Sequence, residues 1–63
     1  MPTFHVAHLG TNDSENSLNI SAGDPEAALS AAIEAASRAG GIYSVWDPED
    51  PMGMPLVGRT VEA

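Results

Sequence analysis

Cysteine is absent from this chain, and so is lysine. Without cysteine, neither a disulfide nor a thiolate metal site can hold the fold together. Without lysine, the only basic side chains apart from histidine are Arg38 and Arg59. They stand against nine carboxylates, Asp13, Glu15, Asp24, Glu26, Glu34, Asp47, Glu49, Asp50 and Glu62, for a formal charge of −7. Phosphates are held mostly by Lys and Arg, so direct nucleic-acid binding is disfavoured. An anionic membrane surface is disfavoured for the same reason. A protein partner with a basic surface fits the sign. No apolar run approaches the ~18 residues that a spanning helix needs. The first residues lack a positive region followed by a hydrophobic stretch. A cytoplasmic location is therefore expected.

What is present suits one small α+β domain over residues 1–63. The hydrophobic fraction, 43%, is ordinary for a folded chain, so disorder is not indicated. A chain of this size buries only about 60% of the surface that it exposes when unfolded. With no disulfide to help, a second chain becomes a natural source of stability. Self-association is expected, with a homodimer first.

Residues 3–9 alternate, with Phe4, Val6 and His8 on one side and Thr3, His5, Ala7 and Leu9 on the other. Period two with aromatic and β-branched residues predicts a strand. Residues 10–16 are Gly, Thr, Asn, Asp, Ser, Glu and Asn, a turn composition. Leu18 and Ile20 restart the alternation, with Ser17, Asn19 and Ser21 on a polar face. The two segments suggest a hairpin.

Asp24-Pro25-Glu26 is the clearest local signal. Asp24 can cap a helix, Pro25 suits its first position, and Glu26 suits its positive end. Seven alanines between 27 and 39 favour a helix over residues 25–39. Leu29 and Ile33, with Ala32 and Ala36, form its apolar face. Arg38 is expected in its last turn, and Gly40-Gly41 are expected to end it. Residues 42–46 read as a strand, with Ile42, Ser44 and Trp46 opposed to Tyr43 and Val45. Pro48, Pro51, Gly53 and Pro55 make residues 47–55 a loop. Residues 56–61 read as a last strand, with Val57, Arg59 and Val61 on one face. The expected architecture is a β-β-α-β-β domain with one helix on an antiparallel sheet.

Gly23-Asp24, followed by Ala28-Leu29 and Ala32, resembles the strand-to-helix junction of HicB-type antitoxin domains. The spacing is one residue short of that family's usual glycine-aspartate to alanine-leucine interval, and the preceding strand motif is missing. The resemblance implies strands followed by an amphipathic helix, and it assigns no residue a role.

The chemical motifs are mostly missing. There is no G-x-S-x-G elbow, no G-x-x-x-x-G-K-[ST] and no G-x-G-x-x-G. His5 and His8 are three apart, which in a strand puts them on opposite faces and denies a simple metal pair. Glu49-Asp50 do not match a calcium loop. No catalytic residue, metal or cofactor is assigned. The loop is more informative. It sets Met52 and Met54 between prolines, after Asp47, Glu49 and Asp50. The two methionines either fold back to cap the small core or serve as adaptable contact surface. Trp46 either packs under the loop or anchors an interface. The expected function is a noncatalytic acidic interaction module, an inhibitor or antitoxin-like binder. The alternative is a small structural or accessory subunit of a larger assembly. The candidate interface comprises Trp46, Asp47, Glu49, Asp50, Met52 and Met54.

Overall fold

The computed structural model describes residues 1–50 and 52–62. Five elements follow in order: β1 (Thr3–Gly10), β2 (Glu15–Ser21), α1 (Pro25–Ala35), β3 (Gly41–Trp46) and β4 (Val57–Val61). The strands form one antiparallel sheet in the order β2-β1-β3-β4. The β-β-α-β-β architecture expected from the periodicity is the architecture observed. The chain leaves β2, crosses through α1 and returns as β3 on the other side of β1. β1 and β3 are thus the central strands, and β2 and β4 are the edges.

The alternation settles which face meets the helix. Phe4, Val6, Tyr43 and Val45 are buried with Ala28, Leu29, Ala32 and Ile33 of α1. Directly paired residues in a sheet share a face. Pairing therefore brings Leu18 and Ile20 beside Val6 and Phe4, and Val57 beside Val45. His5, Leu9, Ile42 and Trp46 lie on the other face, which no helix among the described residues covers. The alanines let α1 lie close to the sheet, and Leu29 supplies its most buried large side chain at 1% exposure.

The helix begins as its sequence indicates. Asp24 is extended, and its Oδ1 accepts the Ala27 amide at 2.7 Å, with Pro25 in the first turn. Its end differs from the expectation. The helix stops at Ala35, with Ala36 as cap, not at residue 39. The Ser37 amide bonds the Glu34 carbonyl and the Arg38 amide bonds the Ile33 carbonyl. This pair of bonds closes a Schellman turn. Ser37 and Arg38 take the left-handed backbone, at φ 56 and 58, where Gly40-Gly41 were expected to do so. Arg38 thus lies beyond the helix, where its guanidinium reaches back to Glu34 at 2.9 Å. The face that runs through Leu29, Ile33 and Ala36 next arrives at Gly40. No large apolar side chain is left there to hold a further turn on the sheet.

Left-handed backbone costs a non-glycine residue roughly 1–2 kcal/mol. Part of that is returned when glycine, with its freer unfolded chain, is installed. Ser37→Gly is expected to stabilise the domain by about 0.5–1 kcal/mol. A thermal melt should show a midpoint several degrees higher. An unchanged or lower midpoint would contradict this account of the helix end.

Candidate functional site

The loop from β3 to β4 is built on hydrogen bonds from its own first residues. Asp47 Oδ1 accepts the Glu49 amide at 2.9 Å, and the Asp47 carbonyl accepts the Asp50 amide at 3.0 Å. The Asp50 carbonyl accepts the Gly53 amide at 3.2 Å, which places Met52 at the tip of that turn. The Leu56 amide then donates to the Val45 carbonyl at 2.7 Å and returns the chain to the sheet. Pro51, expected as one of the loop prolines, lies outside the described residues.

Trp46 ties this loop to the strand. Its indole Nε1–H donates to the Gly53 carbonyl at 2.9 Å. The side chain is half-buried on the open face of the sheet, paired in register with His5. The two rings are tilted by 57° with centroids 6.2 Å apart. The indole therefore braces the loop from beneath.

Met52 and Met54 do not cap the core. They are 93% and 87% exposed. The reading in which they fold back is overturned, and a physical reason is visible. Two successive turns and the bond from Trp46 to the Gly53 carbonyl hold the loop backbone as an excursion of its own between β3 and β4. The buried cluster is made by the sheet, the helix and Ala22 between them, and neither methionine belongs to it. Glu49 and Asp50 are exposed on the same loop, and Asp47 is half-buried. Six residues singled out from sequence thus lie within nine positions, on one structured excursion of the chain.

The electrostatics of the loop are one-sided. Neither arginine is drawn to it. Arg38 pairs with Glu34 at 2.9 Å, and that hydrogen bond, with the adjoining charge, holds its guanidinium above the ordinary arginine value. Arg59 lies 3.6 Å from Glu26 on the helix. Such exposed pairs contribute little to stability. Their effect on the charge pattern is larger, because both cations sit against acids outside the loop.

A second feature escaped the sequence reading. His8 stacks on Tyr43 with ring centroids 4.1 Å apart and planes 5° from parallel. Its Nε2 lies 3.0 Å from the Gly40 carbonyl. A carbonyl only accepts, so this nitrogen carries the hydrogen in that bond. The Tyr43 hydroxyl donates to the Ala39 carbonyl. Together the two rings fasten the segment after α1 to the central strands. A cavity of about 300 Å³ opens beside them, lined by Val6, Asn16, Leu18, Ala32 and Ala36 among others. The signal was pairing across strands: His8 lies opposite Tyr43 in the register, and one strand read alone does not reveal it. Among the described residues, no group of three or more His, Asp or Glu side chains is placed to hold a metal ion.

No family model matches the chain, and no curated protein or solved structure matches it.

Proposed function

We propose that this chain is a noncatalytic protein-interaction module whose β3–β4 loop engages a basic surface on a partner protein. The observation that carries the reading is the exposure of Met52 and Met54, 93% and 87%, in a loop that holds three acids and no cation. Exposed methionine is flexible and polarisable, and it adapts to uneven apolar surface. Around it, Asp47, Glu49 and Asp50 supply a field that speeds encounter with a positive groove and weakens as salt screens it. Trp46 and the two turns hold the loop in place, which lowers the ordering cost of binding. The module acts by occupying its partner's basic surface, as an inhibitor or antitoxin-like binder does. A nucleic acid or an anionic membrane would meet the same acidic field as a repulsion. Among the described residues, no helix is long and apolar enough to cross a membrane. A cytoplasmic setting belongs to the same proposal.

The test is affinity capture from the native cells at rising salt, followed by kinetics on the captured chain. The captured protein should be basic and should be released as salt rises. Glu49→Lys with Asp50→Lys should lower its association rate by about tenfold and flatten the salt dependence. Met52→Ala with Met54→Ala should leave association unchanged and raise dissociation by about tenfold, equivalent to 1.4 kcal/mol. An acidic captured partner, or a partner indifferent to both double substitutions, would refute the reading.

A further inference from the structure

The two edges of the sheet are not alike. β4 carries Arg59 and Gly58 and follows Pro55, features that discourage strand addition. β2 is seven residues long and has no proline or glycine, and its only charge is Glu15 at its start. In a chain of net charge −7, β2 is a nearly uncharged edge where a second copy can approach.

The hydrogen-bond parity of the hairpin fixes what this edge offers. The Gly10 amide donates to the Ser14 carbonyl, and the Ala22 amide donates to the Pro2 carbonyl. These bonds mark hydrogen-bonded pairs at both ends of one continuous register. Such pairs alternate with non-bonded ones in an antiparallel ladder. Asn16, Leu18 and Ile20 therefore turn their backbone groups toward β1. Glu15, Ser17, Asn19 and Ser21 turn theirs to the free edge.

We infer that β2 pairs antiparallel with β2 of a second copy across a two-fold axis at Leu18. This inference is independent of the loop reading. In this register every outward residue finds a partner: Ser17 bonds Asn19 of the second copy, and Glu15 bonds Ser21. A shift by one residue would set inward-turned groups against outward ones. A shift by two would leave an end unpaired. The two-fold register also keeps carboxylates apart, since each Glu15 faces a serine and the two lie at opposite ends of the strand pair. Leu18, 43% exposed in the single chain, meets its own copy in a non-bonded pair, where side chains approach closest. Ile20 of the second copy comes alongside Asn16. Leu18 and Asn16 both line the cavity beside α1, so the second copy covers that open flank. The interface is isologous and closed, and it gives one continuous sheet with both helices on the same face.

The absence of cysteine permits a direct test with introduced thiols. Leu18→Cys puts two Cα atoms about 4.5 Å apart, within disulfide reach. Ser17→Cys puts its pair about 7–8 Å apart, on a diagonal, beyond that reach. Under mild oxidation the first should form a disulfide-linked dimer about tenfold faster than the second, because only its geometry fits. The unaltered chain should sediment at twice 6.5 kDa in the micromolar range. Ser17→Asp with Asn19→Asp alters only exposed side chains on the open face, but sets carboxylate against carboxylate across the axis. It should sediment as a folded monomer under the same conditions. A wild-type chain that stays monomeric, equal cross-linking from positions 17 and 18, or a dimer that survives the paired aspartates would each overturn the inference.

Discussion

Leu29→Ala is expected to leave a large fraction of the chain unfolded at room temperature. Leu29 is 1% exposed and is the helix's largest fully buried side chain. Its buried neighbours on α1 are Ala28, Ala32 and Ile33; the alanines cannot reach into the space it leaves, and Ile33 is already packed in the cluster. A buried leucine reduced to alanine costs about 2–5 kcal/mol, with the upper part reached where surroundings do not collapse. A domain of 63 residues has a stability on the order of 3–9 kcal/mol at typical values per residue. The substitution therefore removes much of the whole. Denaturant titration should show a midpoint near zero or a steep loss of stability. A loss below about 1 kcal/mol would mean that α1 does not hold the core as described.

Gly41→Ala is expected to be comparably damaging, for a backbone reason. Gly41 has φ +133, a conformation closed to side chains. A Cβ placed there would stand 2.1 Å from the Leu9 carbonyl oxygen, which belongs to the paired strand and has no rotamer by which to move away. Strained backbone costs about 1–3 kcal/mol, and forced overpacking costs a similar amount. The sum is about 2–6 kcal/mol, directed at the pairing of Gly10 with Gly41. Gly23→Ala is the matched control. A Cβ at Gly23 meets nothing within 4 Å, and its backbone is not in the positive-φ region. Thermal melts of the two variants should separate widely. Equal melting points would remove the argument for Gly41.

These two residues also mark how far the sequence could be read. The start of α1 was legible because Asp24, Pro25 and Glu26 each act within one turn. Its end was not. Gly40-Gly41 offered permissive backbone, yet the helix closed earlier through Ser37 and Arg38. Gly41 is instead required where β3 passes close to Leu9. Glycine advertises freedom without saying whether a helix end or a strand crossing uses it. The strand faces were legible because period two fixes them locally, as with Tyr43 and Val45 against Trp46. The hairpin turn is shorter than its polar composition suggested, since Glu15 and Asn16 are already paired with Leu9 and His8. Sequence placed the candidate loop by its prolines and acids. It left the methionines open, because hydrophobicity alone does not tell a core cap from an exposed contact. Their position was decided by successive turns and by the bond from Trp46 to Gly53. The stack of His8 on Tyr43 lay outside local reading altogether, because it depends on pairing between β1 and β3.

The central claim is that partner binding is carried by the β3–β4 loop. It is tested most directly by amide chemical-shift mapping of the labelled chain, titrated with the basic protein captured at low salt. The account predicts that the largest shifts fall on Trp46, Asp47, Glu49, Asp50, Met52 and Met54. It also predicts that they fade as salt is raised and that the β2 amides keep the positions they hold in the chain without partner. Shifts centred on α1 or β2, with the loop amides unmoved, would contradict it.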